Sequence, residues 1–169
     1  FFIDKLCAKL QLRSNSKVWD MACGKGRHAI ALNKKGFDVI GSDLSQNSIK
    51  WAQKHQNEHL HFMVHDMRCP FRLNYFEAAL NLFTSFGYFK DDEDNFRVFK
   101  NVADSIVDKG HFVLDFFNTA KIADLSDTNY TETRGEIQFQ IKKTIKYKSI
   151  LKEIDFVHDS HPYHFTETV

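Results

Sequence analysis

Cysteine is scarce, and Cys7, Cys23 and Cys69 are odd in number and scattered, with no Cys-x-x-Cys. That excludes a disulfide framework and a zinc knuckle, and a reducing cytoplasm is the expected compartment. Proline is scarcer still, at 2 residues against 17 phenylalanines, so the composition is not that of a disordered segment. No sign of charge dominates: 23 Lys+Arg face 22 Asp+Glu, a net charge of +1. General nucleic-acid binding draws on a basic excess and is not expected. Apolar runs such as Ala78-Ala79-Leu80 and Phe112-Val113-Leu114 are far shorter than the roughly 20 residues that cross a bilayer, so no membrane partner is expected. The opening Phe1-Phe2-Ile3-Asp4 lacks a basic n-region and an initiator Met, so no signal peptide is read there and an N-terminal piece is expected to be missing.

What the chain has is length and alternation. At 169 residues it reads as a single domain that can bury roughly 70% of its unfolded surface without a staple. Phe2, Ile3, Leu6 and Leu10 have helical spacing, and Lys17–Met21 reads as a short buried strand before a glycine turn. A helix from Arg27 to Lys35 ends at Gly36, and Phe37–Gly41 forms the next strand. Ser45 caps a helix reaching about His55, with Ile49 and Ala52 on one face. His61–His65 is a third strand, and Phe76–Phe83 a fourth whose continuous apolar character suits a parallel sheet covered on both faces. Asp91–Asp94 opens a helix, its carboxylates favoured by the dipole, with Phe96, Phe99, Val102 and Ile106 inward and Gly110 past its end. His111–Phe117 is the fifth strand. Strand and helix in this alternation give an α/β, doubly wound, mostly parallel sheet with right-handed crossovers.

After Asn118 the pattern changes, dividing residues 1–118 from 119–169. Residues 120–130 read as polar loop, and Glu136–Ile141, Thr144–Ile150 and Glu153–Val157 alternate with period two, an antiparallel β extension with one wet face.

The strongest chemical signal is Val18-Trp19-Asp20-Met21-Ala22-Cys23-Gly24-Lys25-Gly26-Arg27-His28-Ala29, between the first strand and its helix. Glycines there let a ligand approach the backbone. Gly24-x-Gly26-x-x-Ala29 also fits the loose dinucleotide fingerprint, so the flanking charges decide more. Asp20, Asp43 and Asp66 each end one of three consecutive strands and aim carboxylates at one crevice. Any one of them alone would be an ordinary loop cap; together they would repel a pyrophosphate and suit a cationic ligand bearing a ribose and an adenine. His55, His59, His61 and His65 lack a completed ligand spacing, so no metal site is expected. Cys23 has no paired base and reads as packing.

With these residues in hand the chain resembles a class I S-adenosylmethionine-dependent methyltransferase of the small-molecule branch, over about residues 17–118, including Ala79-Leu-Asn-Leu-Phe-Thr-Ser-Phe-Gly-Tyr88. The resemblance implies a Rossmann-like methyltransferase fold, S-adenosylmethionine as cofactor, and methyl transfer to a nitrogen or oxygen of a small-molecule acceptor. It implies that Gly24 and Gly26 pack against the methionine part and that Asp20 holds the glycine loop. The Ala22 carbonyl would receive the cofactor ammonium, Asp43 the ribose hydroxyls, and Leu44 would contact adenine. Asp66 would accept from the adenine amine, the Met67 N–H would donate to the ring, and Asn81 would line the methyl-transfer site. No catalytic base is assigned. The family usually has Gly where Ala22 stands and Asp where Glu77 stands. Its sheet has seven strands, so the chain is expected to be a fragment of a longer enzyme, with the 136–169 ribbon resembling a β insertion over the substrate pocket and with homodimer formation through the outer edge of the fifth strand. Two rivals stand beside this reading. One is an NAD-dependent oxidoreductase, disfavoured by Asp20 and the missing third glycine; the other is a catalytically inactive methyltransferase-like binding module.

Overall fold

The structure, a computed structural model, describes residues 2–83, 85–89, 91–116, 118, 126–146 and 149–168. The chain divides into two compact units, Phe1–Phe116 and Phe117–Val169.

In the first unit the helices are α1 (Phe2–Leu10), α2 (Arg27–Asn33), α3 (Gln46–Ala52, continued by a 3-10 turn at Gln53–His55) and α4 (Asp92–Ser105). The strands are β1 (Lys17–Met21), β2 (Asp38–Asp43), β3 (Leu60–Val64), β4 (Phe76–Asn81) and β5 (Ile106–Leu114). They form one parallel sheet in the order β3-β2-β1-β4-β5. β1 sits at its centre because its residues are apolar toward both faces: Val18 packs with Ala29, Leu32, Ile49 and Ala52 of α2 and α3, and Trp19 with Val98 and Val102 of α4. Burying such a side chain contributes about 1.5–3 kcal/mol. Trp19 Nε1 donates to Ser42 Oγ at 2.8 Å, so burial leaves no unpaired indole N–H and locks β1 to β2. Ser45 is the α3 N-cap, its Oγ accepting from the Ser48 N–H at 3.3 Å.

The β3-to-β4 connection, residues 65–75, contains no helix. Aromatic packing takes its place: the Phe71 ring lies 4.8 Å from Trp19 and 4.4 Å from His65.

α4 and β5 differ from the sequence expectation. The buried stripe of α4 is Val98, Asn101, Val102 and Ser105, while Phe96 is 68% exposed and Phe99 is 42% exposed, edge-on to Phe86 and Phe112. Smaller residues on that stripe let the helix approach the sheet closely, which a row of phenylalanines would prevent. Ile106 caps α4 and begins β5 instead of packing on the helix's inner face, and Gly110 lies inside β5 instead of ending the helix. A Cβ on Gly110 would lie 2.9 Å from the Val107 carbonyl, and the β4–β5 register shifts between Phe76 and Ala78, so the glycine marks an irregular strand.

The second unit is an antiparallel sheet in the order β6 (Thr128–Arg134), β7 (Ile137–Lys146), β8 (Ser149–His158) and β9 (His161–Thr168). β6 corrects the loop reading of residues 128–130; residues 120–125 lie outside the described ones. Thr144–Ile150 is not one strand, because β7 ends at Lys146 and β8 begins at Ser149. Phe156 joins the strands through rings 4.8 Å from Phe139 and 5.0 Å from Tyr163, cross-strand pairs that hold the sheet. No helix among the described residues is long and apolar enough to cross a membrane.

Candidate functional site

Parallel strands in register place their last residues side by side. Met63, Ser42, Met21, Asn81 and Leu114 form one row across the sheet. The residues that follow, among them Asp43, Ala22 and Asp115, stand at the carboxyl-end crevice where open α/β sheets bind ligands.

The turn after β1 is built from hydrogen bonds to the neighbouring strand end. The Cys23 N–H donates to the Ser42 carbonyl at 2.9 Å, and the Gly24 N–H to Asp43 Oδ2 at 2.8 Å. Asp43 Oδ1 accepts from the Ser45 N–H at 2.8 Å, so each oxygen carries one protein bond and keeps acceptor capacity. Ala22 has φ 52°, Gly24 φ 54° and Gly26 φ 77°. The left-handed backbone at Ala22 explains why glycine suits that position and costs an L-residue about 1–2 kcal/mol.

The two glycines serve different needs. A Cβ on Gly24 would meet nothing within 4 Å, whereas one on Gly26 would lie 2.5 Å from the Phe62 ring. Gly26 is thus required by packing inside the chain, and Gly24 borders open space. Asp20 is 1% exposed and its Oδ2 accepts from the Ala29 N–H at 3.0 Å, tying β1 to the start of α2. Burial, opposed by that bond and aided by Asp43, raises its pKa to about 7. Burial, with Asp20 and Asp43 nearby, also pushes the Cys23 thiol well up.

A cavity of 230 Å³ opens beside this turn, lined by Ala22, Ser42, Asp43, Leu44, His65, Met67, Ser85, Tyr88 and Phe89. Of the residues singled out in the sequence it brings together Ala22, Asp43, Leu44 and Met67. Leu44 is 57% exposed, an apolar side chain held at the cavity's rim. Asp20, Gly24, Gly26, Asp66 and Asn81 do not line it. Asn81 is fully buried; its Nδ2 donates to Met67 Sδ at 3.8 Å, and its Oδ1 has no hydrogen-bond partner among the described residues. Asp66 faces Arg68, whose Nη2 donates to Oδ2 at 2.7 Å, and this pairing holds the carboxyl below its usual range. His65, Ser85, Phe89 and Arg68 received no cofactor role from the sequence. The sole hint was Arg68 two residues past Asp66, with Asp94 later opening a helix.

On the far side of the turn, His28 stacks on Phe83 at 4.7 Å, and the Phe83 N–H donates to Asp115 Oδ2 at 3.0 Å. Burial, with Arg27 beside it, lowers the His28 pKa, partly opposed by Asp115. Among the described residues no group of three or more His, Cys, Asp or Glu is placed to hold a metal ion.

Open space at Gly24, spare acceptor capacity on Asp43 and an apolar cavity wall together fit a ligand with a charged end, vicinal hydroxyls and a flat apolar ring. S-adenosylmethionine has those parts.

Residues 18–110 match the model of a family described as methyltransferase domain. YqeM of Bacillus subtilis (strain 168), named provisionally as a methyltransferase, is 29% identical over 132 residues, covering 76% of this chain and 53% of YqeM. The chain spans little more than half the length of the curated relatives it matches. Its fold is similar to that of an S-adenosylmethionine-dependent methyltransferase from Clostridium acetobutylicum ATCC 824, at 21% identity and TM-score 0.77, covering 99% of this chain and 70% of that one. It is also similar to S-adenosylmethionine-bound CalS10, an amino pentose methyltransferase from Micromonospora echinaspora, at 15% identity and TM-score 0.74, covering 99% and 72%.

Proposed function

From the premise that this chain belongs to the methyltransferase-domain family, we propose that it binds S-adenosylmethionine at the crevice beside Gly24 and transfers its methyl group to a nitrogen or oxygen of a small molecule. The observation that carries this reading is Asp43 at the end of β2, which fixes the Gly24 loop and keeps acceptor capacity toward the cavity. Its carboxylate takes the two ribose hydroxyls. Gly24 leaves room for the methionine part, the Ala22 carbonyl receives its ammonium, and Leu44 and Phe89 enclose adenine with the Met67 N–H at the ring edge. Asp20 and Gly26 hold the loop from behind, and Asn81 lies beneath the methyl-transfer position.

When bound, S-adenosylmethionine supplies a sulfonium methyl group open to in-line displacement. The chain's own contribution is positioning and exclusion of water. Phe83, Asp115 and His28 provide an aromatic and acidic wall for the acceptor. The fold shared with CalS10, an amino pentose methyltransferase, makes an amino sugar one acceptor to test. The cofactor-binding core is assigned to residues 1–118 and an antiparallel β extension to residues 119–169. The compartment is the cytoplasm.

Asp43→Ala tests the assignment. Charge-assisted bonds contribute roughly 1.5–3 kcal/mol each, so S-adenosylhomocysteine affinity is expected to fall at least tenfold. Equal affinities for wild type and a mutant of unchanged circular dichroism would refute it.

A further inference from the structure

The 65–75 connection supplies the Met67 wall of the cavity without a helix to stiffen it. Part of its hold is the Met67 carbonyl, which accepts from Asn101 Nδ2 of α4 at 3.1 Å. Another part runs through Arg68. Its Nε lies 3.1 Å from both Asp66 oxygens, its backbone N–H donates to Asp66 Oδ1 at 2.9 Å, and its Nη1 donates to Asp94 Oδ2 at 2.7 Å in the first turn of α4. The same guanidinium lies 4.9 Å from the centre of the Phe89 ring. One side chain therefore joins the end of β3, the start of α4 and the 85–89 segment. Met67 and Phe89 face the cavity from two of these pieces; Asp66 does not line it.

We propose that Arg68, gripping Asp66 and Asp94, is a positioning residue for the cofactor: it fixes the Met67 and Phe89 walls that enclose adenine and holds the Asp66 carboxylate in place. The inference rests on the cavity being the S-adenosylmethionine site. Arginine suits the task because its planar fork bridges two carboxylates while stacking on a ring, which the point charge of lysine does not do.

The test is calorimetric titration of the whole chain with S-adenosylhomocysteine and with adenosine, for wild type, Arg68→Met, Arg68→Lys, Asp94→Asn and Asp66→Asn. All are measured at a temperature where circular dichroism shows each folded. Arg68→Met is expected to weaken both ligands about tenfold, the equivalent of one lost charge-assisted contact. Asp94→Asn, which touches neither the cavity nor Asp66, weakens both by a smaller factor, and Arg68→Lys restores part of the loss. A merely structural role would lower the melting temperature and leave both affinities unchanged below it, and that result overturns the proposal. Weakened binding in Asp66→Asn with wild-type binding in Arg68→Met also overturns it, because the carboxylate would then act without Arg68. Wild type that binds no S-adenosylhomocysteine defeats the cofactor reading and the inference together; wild-type binding matched by Arg68→Met defeats the inference alone.

Discussion

Replacing Gly26 by alanine perturbs the glycine turn at the one place where the chain itself has no room. The new Cβ would sit 2.5 Å from Cε1 and Cζ of Phe62 and 3.4 Å from the Ala52 Cβ. Phe62 is 3% exposed inside the core cluster, so its ring has no free space to turn into. The backbone is equally fixed, because the Gly26 N–H donates to Cys23 and its carbonyl accepts from Ile30, both at 2.9 Å. Overpacking of this kind costs about 1–3 kcal/mol, and a left-handed φ of 77° costs an L-residue about 1–2 kcal/mol more. The sum, about 2–5 kcal/mol, lowers the melting temperature by roughly 4–20 °C for a chain of this size. Gly24→Ala carries only the backbone cost, about 1–2 kcal/mol, since its Cβ meets no protein atom. Thermal melts followed by circular dichroism compare the two, with Phe62→Leu added to Gly26→Ala to give the ring room. Recovery of about 1 kcal/mol or more in that double mutant is expected for residues in contact. The reasoning fails if Gly26→Ala melts within about 2 °C of wild type, or if shortening Phe62 leaves its cost unchanged.

Two further outcomes follow from burial and from the sheet edge. Burial raises the Asp20 pKa from 3.8 to about 7, so the folded chain keeps a proton that the unfolded chain releases, and stability declines as pH rises through that window by up to about 4 kcal/mol. Asp20→Asn retains an oxygen for the Ala29 N–H, and urea midpoints between pH 4 and 7.5 should show a flatter profile; identical slopes in both proteins would contradict this. β5 pairs only with β4 among the described strands, so its outer edge is expected to support a homodimer. Sedimentation showing a monomer at every concentration would remove that proposal.

The parallel core was legible because short apolar strands alternate with capped helices, and Trp19 with Val18 announces a strand buried on both faces. Of the three carboxylates expected to converge on the crevice only Asp43 lines its cavity, beside Ala22; Asp20 is buried and holds the Ala29 N–H, and Asp66 pairs with Arg68. What stayed hidden depends on three-dimensional pairing. The spacing of Phe96 and Phe99 matches a helical stripe, yet Val98, Asn101, Val102 and Ser105 hold the buried one, since both stripes have the same period. β6 was obscured because Thr128–Arg134 is polar on both faces. Arg68 was invisible as a wall-builder because its partner Asp94 lies 26 residues on, in a run that reads as a helix start. The two glycines looked equivalent until Phe62 was found against one and open space against the other.

The central claim, an S-adenosylmethionine site in the crevice at the ends of β1 and β2, is tested most directly by calorimetric titration of the wild-type chain with S-adenosylhomocysteine and, separately, with NAD. The expected result is one S-adenosylhomocysteine per chain, displaced by S-adenosylmethionine, with no heat from NAD. Saturable NAD binding without S-adenosylhomocysteine binding, or no binding of either, would contradict the account.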